Sequence, residues 1–281
     1  LEDYRKIVWL ASYPKSGNTW FRAFLTALHV KGDSPLDINR MNQATIASSR
    51  ELFDEYSGIP SSDLTFEEID RLRPLVYRNN VKNTNELIYH KIHDAWTLLP
   101  NGDPLFPKEI TKAAIYLIRN PLDIVVSFSN HLSVSIDKTI EVMNNPGYAF
   151  CNKYEKLLPQ LKQKLLTWSG HVKSWTEESD LPVKVLRYED MKNNPFEAFA
   201  GALEFIDLHV SKSEIENAIQ KSSFDELKKL EEEKGFIEKN KHSASFFRKG
   251  ITGDWKNVLS PEQVKRITDI HGETMKRFHY L

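Results

Sequence analysis

The sequence predicts an α/β fold: a single-domain, three-layer sandwich with a central, mostly parallel β-sheet flanked by helices. Four stretches, Ile7–Ala11, Leu87–His90, Ala113–Ile118 and Val183–Leu186, are continuously apolar and rich in β-branched residues, which marks strands buried on both faces. Each is followed by a turn or a helix start. Such strand, turn and helix alternation folds with right-handed crossovers into a doubly wound sheet. The length of 281 residues, with 40% hydrophobic and 27% charged residues, suits one large α/β domain with a full core.

The elements follow in order. After Ala11 comes a loop and then "TWFRAFLTALHV", where Phe21, Phe24, Leu25 and Leu28 form one helical face. The segment 32–85 is polar and weakly periodic, and 129–160 mixes "NNPG" with short helical pieces. Both read as variable covers over the sheet edge that carries a site. After Ile118, "RNPLDIVVSFSN" places Asn120 as an N-cap and Pro121 at the first helical position. Tyr154 to Glu178 reads as one long helix, and "FDELKKLEEEKG" as a charged helix with a solvated face that ends at Gly235. A final helix starts at Ser260 and Pro261. Repeats and low-complexity tracts are absent from the sequence.

Composition also excludes. A formal net charge of −1 argues against a generic nucleic-acid binder, which needs a basic face, so any anion site must be local. The single cysteine, Cys151, has no partner for an internal disulfide and fits a reducing compartment; without a local motif it reads as packing, not as a catalytic thiol. No apolar run reaches the ~18 residues of a membrane span. The expectation is a cytoplasmic protein.

Four stretches carry chemistry. "SYPKSGNTW" joins a buried strand to a helix N-terminus, where unpaired N–H groups and the helix dipole favour an anion. This makes the sandwich P-loop-like. Yet Lys15 precedes Gly17, whereas the ATP and GTP signature places lysine after its second glycine. In "IYLIRNPLDIVVSF", Arg119 stands at the carboxyl end of a strand, where open α/β sheets collect ligands, and Ser127 follows on the next helix. The bland alternative pairs Arg119 with Asp123. In "FFRKGITGDWKN", Phe246 and Phe247 offer aromatic faces, Arg248 and Lys249 charge, and Gly250 close approach, a set that suits a purine and a phosphate. In "IYHKIHDAW", Lys91 and His93 are two apart on an extended chain and face one way, with His90 on the other face as packing. A neutral imidazole is the side chain best suited to take a hydroxyl proton near pH 7.

In this order the four stretches resemble the cytosolic-type sulfotransferase family, which uses 3′-phosphoadenosine 5′-phosphosulfate (PAPS) and releases 3′-phosphoadenosine 5′-phosphate (PAP). "SYPKSGNTW" is similar to the family's 5′-phosphosulfate loop, "YLIRNPLDIVVSF" to its 3′-phosphate motif, "VLRYEDM" to its third strand turn and "FFRKGITGDWKN" to its C-terminal signature. The resemblance implies that Lys15, Ser16, Gly17, Asn18, Thr19 and Trp20 surround the phosphosulfate. It gives the 3′-phosphate to Arg119, Ser127, Arg248, Lys249 and Gly250, with Phe246 and Phe247 beside them. Tyr188 matches a nucleotide-binding tyrosine, and Ser222 and Phe224 of "SSFDEL" match a segment beside the adenine. His93 matches the catalytic base, Lys15 the group that stabilises the departing phosphate, and Lys91 a lysine that helps hold the sulfuryl group.

The implied reaction moves a sulfuryl group from PAPS to a hydroxyl or amine of a small-molecule acceptor, without a metal. The acceptor stays open among a phenol, an alcohol, a sugar and a peptide natural product; Phe128, His131, Tyr148 and Phe150 are candidate lining. Asn18 stands where many relatives have threonine, which keeps a donor. The dimerisation pattern of animal relatives is absent after "GDWK", where "NVLSPEQVK" follows, so monomer and homodimer both stay open. Two rivals are a P-loop kinase and a nucleotide-binding module without turnover.

Overall fold

Strand β1, Ile7–Ser12, is buried along its whole length, as a strand in the middle of a parallel sheet must be. The structure, a computed structural model, describes residues 4–30, 32, 34–41, 43–82, 84–153, 155–239 and 245–281. The further strands are β2 (Ala44–Ile46), β3 (Ile88–Ile92), β4 (Thr111–Ile118), β5 (Ala149–Phe150), β6 (Gln163–Lys164) and β7 (Val183–Arg187). The helices are α1 (Asn18–Leu28), α2 (Arg50–Ser57), α3 (Phe66–Val81), α4 (Pro121–Leu132), α5 (Ile136–Asn144), α6 (Trp168–Lys173), α7 (Tyr188–Asn193), α8 (Pro195–Phe205), α9 (Lys212–Lys221), α10 (Phe224–Lys234) and α11 (Pro261–Arg277). A five-stranded sheet runs in the order β2-β3-β1-β4-β7, with β1 parallel to β3 and Ile7 opposite Ile88. The fold is the expected α/β arrangement of a central, mostly parallel sheet with helices on it. Strands β5 and β6 form a separate antiparallel pair.

The chain packs as two compact units. The first comprises residues 1–13, 45–116 and 145–185; the second comprises 14–44, 117–144 and 186–281. In the first, the sheet carries a core of Trp9, Tyr77, Phe106 and Trp175, whose rings meet at 4.9–5.0 Å in the pairs Trp9–Tyr77, Trp9–Phe106 and Phe106–Trp175. In the second, α1 packs on α9, and α11 on α4 and α5. Phe199 stacks on Phe24 there, with centroids 4.2 Å apart. Among the described residues no helix is long and apolar enough to cross a membrane.

Three readings of the sequence are corrected. Tyr154 lies outside the described residues, and the predicted helix to Glu178 forms only from Trp168, capped by Thr167, whose Oγ1 accepts from Gly170 N at 3.0 Å, and continues as a π-helical turn over Ser174–Glu178. Pro159 lacks the donor a helix needs there, and Leu166 sits at φ 59°, outside helical geometry. The segment 32–85 holds β2, α2 and the 16-residue α3, opened by a reciprocal Thr65–Glu68 capping box. Its periodicity is weak because Arg73 and Pro74 occupy its buried face. The charged helix α10 also buries more than predicted: Leu227, Leu230 and Glu231 face inward.

Candidate active site

In the second unit, the loop before α1 has Lys15 at φ 69° and Gly17 at φ 100°, left-handed conformations on either side of Ser16. Such alternation builds backbone anion nests, and a non-glycine residue held there costs about 1–3 kcal/mol. Gly17 is required twice over. A Cβ there would sit 2.8 Å from the Tyr188 ring and 2.9 Å from Met191 Cε. The first turn of α1 carries no acidic residue, so its positive end keeps its full attraction for an anion. Ser16 Oγ, Trp20 Nε1 and Arg119 Nε are buried without a hydrogen-bond partner among the described residues. Buried donors are almost always satisfied in native proteins, and three orphans around one loop fit a polyanionic nucleotide.

Arg119 is not paired with Asp123. Its Nη1 donates to Lys15 O at 3.2 Å and its Nη2 to Ile251 O at 2.9 Å, and its guanidinium lies 4.1 Å from the Tyr188 ring centroid. Asp123 accepts instead from Gly253 N at 2.7 Å and Trp255 N at 3.1 Å. The "FFRKG" loop gains a second anchor from buried Glu231, whose carboxylate accepts from Phe246 N and Phe247 N at 2.6 and 2.8 Å. Within the loop, Arg248 and Lys249 each donate to Asp254 at 2.7 Å. Burial pushes the Asp254 carboxyl up, the bonds from Lys249 and Arg248 pull it down, and the net direction is below its ordinary range.

These anchors bring Lys15, Ser127, Arg248 and Phe246 around one narrow cavity, together with Asn130, His131 and Ser245. Lys15 Nζ stands 4.1 Å over the Phe246 ring. Phe247 is buried against Phe224, with centroids 6.3 Å apart. Ser222 is fully buried and donates to Ala218 O at 2.7 Å. Phe128 is fully buried, so it serves as packing in α4.

Gly250, at φ 61°, faces Phe224 so closely that an added Cβ would lie 2.2–2.5 Å from three ring atoms. Gly250→Ala is therefore expected to displace Phe224 and destabilise the protein by about 1–3 kcal/mol, the cost of overpacking a close contact. Urea unfolding reads this directly; a loss below about 0.5 kcal/mol, the range of a plain surface substitution, would mean that the ring moves aside without cost.

In the first unit, His93 follows the end of β3. Its Nδ1 lies 2.8 Å from Ser12 O and 3.3 Å from Ser12 Oγ. A carbonyl only accepts, so Nδ1 carries the proton and the lone pair belongs to Nε2. The Phe150 ring meets the imidazole edge-on at 6.4 Å, and Tyr148 meets Phe150 at 6.0 Å. Lys91 lies on β3, half-buried. His90 is fully buried between Thr45 Oγ1 at 2.9 Å and Asn80 Oδ1 at 2.8 Å, and burial lowers its pKa to about 4, as suits packing.

Sequence reasoning missed what holds His93. The next residue, Asp94, forms a fully buried two-pronged ion pair with Arg73 of α3, at 3.0 and 2.8 Å. An aspartate directly after the "KIH" histidine was the available signal. Burial also pushes the Cys151 thiol above its ordinary pKa, against nucleophilic use. Among the described residues, no group of three or more His, Cys, Asp or Glu side chains is gathered as metal ligands would be.

Comparison with known proteins gives the family. The model of the sulfotransferase domain family matches residues 5–279. Sulfotransferase 1A1 of Rattus norvegicus is 28% identical over 276 residues, which cover 95% of this chain and 83% of that protein. Amine sulfotransferase of Oryctolagus cuniculus is 25% identical over 278 residues, covering 96% and 81%. Mouse sulfotransferase SULT7A1, solved in complex with PAP, shares the fold at a TM-score of 0.59 and 19% identity, covering 96% of this chain and 84% of that one. The match along nearly the whole chain removes the kinase reading: the chain belongs to the sulfotransferase domain family and is a sulfuryl-transferring enzyme.

Proposed function

We propose that the enzyme transfers the sulfuryl group of PAPS to a hydroxyl or amine of a small-molecule acceptor, with His93 as general base. The observation that carries the base assignment is the bond from His93 Nδ1–H to Ser12 O at 2.8 Å. It holds the imidazole in the tautomer whose Nε2 receives the acceptor proton. PAPS supplies the sulfuryl group and leaves as PAP. Lys15 and the N–H groups around Gly17 neutralise the charge of the departing phosphate, and Lys91 helps hold the sulfuryl group. Ser16, Asn18, Thr19 and Trp20 complete the loop's donor set. Arg119, Ser127, Arg248, Lys249 and Gly250 hold the 3′-phosphate, with Phe246 and Phe247 beside it and Tyr188, Ser222 and Phe224 toward the base.

The orphaned donors of Ser16, Trp20 and Arg119 support this donor assignment. The Phe150 and Tyr148 rings beside His93 favour an acceptor with a flat apolar body, a phenol before a sugar. The single cysteine supports a cytoplasmic location.

Labelled-sulfate transfer over a panel of phenols, alcohols, sugars and amines tests the activity. Two variants test the division of labour. Lys15→Ala is expected to lower kcat about 10²–10³-fold, the usual loss on removing one electrostatic stabiliser, with PAP affinity within a few fold. Arg119→Ala is expected to weaken PAP about tenfold, as loss of a charge-assisted fork does, with kcat at saturating PAPS little changed. Equal losses of kcat in the two variants would contradict the division.

A further inference from the structure

We infer that His171 is a positioning residue for the reaction, a buried imidazole whose N–H grips the carbonyl of His93 and fixes the plane from which the base projects. The inference rests on His93 being the base. His171 lies on α6 and is fully buried. Its Nε2 is 3.1 Å from His93 O, and since a carbonyl only accepts, Nε2 carries the proton. Nδ1 then holds the lone pair and accepts the Tyr116 hydroxyl at 2.8 Å. Tyr116 in turn takes a backbone hydrogen bond from Tyr13, whose ring meets the His171 ring edge-on at 5.5 Å. Tyr13 follows Ser12, the residue that accepts from the His93 ring. One chain of contacts, Tyr13 to Tyr116 to His171, therefore links the grip on the His93 carbonyl to the grip on its ring.

The neighbouring peptide is held the same way. Trp175 Nε1 donates to Asp94 O at 3.0 Å. His171 and Trp175 are four apart, so one helical face meets two consecutive carbonyls, with the π-helical turn Ser174–Glu178 beginning between them. Burial lowers the His171 pKa to about 4, which keeps the imidazole neutral and its donor and acceptor fixed near neutral pH. A histidine that filled space alone would need neither a hydroxyl on one nitrogen nor the base's own carbonyl on the other. Outer partners that orient a metal-bound histidine this way are worth about tenfold to a hundredfold, and an oriented base calls for the same order.

His171→Phe, His171→Gln and Tyr116→Phe test the inference in the enzyme. His171→Phe is expected to lower kcat about tenfold to a hundredfold with KM for PAPS and affinity for PAP unchanged. Its His93 ring should lose the fixed Nδ1–H pattern in ¹⁵N NMR. His171→Gln offers an amide N–H near the position of Nε2 and should recover most of the loss. Tyr116→Phe frees Nδ1 and should lower kcat several fold. A folded His171→Phe enzyme with kcat within twofold of wild type overturns the inference, as do equal losses in the Phe and Gln variants, which would indicate packing alone. If His171→Phe does not fold, wild-type kcat together with an unchanged His93 ¹⁵N pattern in Tyr116→Phe overturns it. His93→Asn, run in parallel, separates the two readings: wild-type-like turnover there defeats the base assignment itself, whereas an inactive His93→Asn beside a fully active His171→Phe defeats only the positioning role.

Discussion

His93→Ala is expected to reduce sulfuryl transfer by at least the ~10²–10⁴ that a positioned general base contributes, while PAP affinity stays within a few fold of wild type. The separation follows from where the side chains are. His93 belongs to the first unit, whereas Lys15, Arg119, Tyr188, Phe224 and Arg248, assigned to the nucleotide, all belong to the second. Removing the imidazole deletes the Nε2 lone pair and leaves Ser12 O to bind water. It leaves intact the anchors of the nucleotide loops: Arg119 on Lys15 O and Ile251 O, Asp123 on Gly253 N and Trp255 N, and Glu231 on Phe246 N and Phe247 N. Single-turnover transfer from labelled PAPS and calorimetry with PAP give the two numbers. Turnover within tenfold of wild type would remove His93 from the proton-transfer role. A parallel collapse of PAP affinity would instead mean that the variant had lost its fold.

The residues proposed for the donor side could be picked out from the sequence because phosphate chemistry is local: a nest, a helix N-terminus and a basic turn are each written in consecutive residues, 15–20 and 246–250. The strands were legible for a similar reason, since burial on both faces leaves an unbroken apolar run. Their ends moved by one to two residues, as with β3, predicted over 87–90 and found over Ile88–Ile92. What surrounds His93 was hidden because it is defined by tertiary contact. His171 and His93 are 78 positions apart, and Arg73 and Asp94 are 21 apart. Arg73 even concealed its own helix by putting a charge on the buried face of α3, where periodicity looks for an apolar residue. His171 stood in a stretch that read as a long helix, and nothing in that reading distinguished a structural imidazole from one aimed at a catalytic segment.

Asp94→Ala is expected to destabilise the protein by about 3–5 kcal/mol, the cost of stranding a buried charge. The Arg73 side chain is 1% exposed and that of Asp94 2%, so neither regains water when its partner is lost. Without the carboxylate, the guanidinium keeps, among the described residues, only Tyr77 OH at 3.1 Å and the partly exposed Asp70 at 3.5 Å, too little to compensate a full charge in the interior. Urea unfolding followed by tryptophan emission weights this unit, since it holds Trp9, Trp96, Trp168 and Trp175, four of the six tryptophans. A loss below about 1 kcal/mol, the range of an exposed pair, would contradict the reading. The double variant Arg73→Met with Asp94→Leu removes both charges and should regain most of the stability. Its turnover should recover less, because Asp94 Oδ1 also accepts from Lys164 N at 3.2 Å and leucine cannot restore that tie. The ion pair adds little net stability over an apolar pair; its contribution is to hold the residue after His93 in one place.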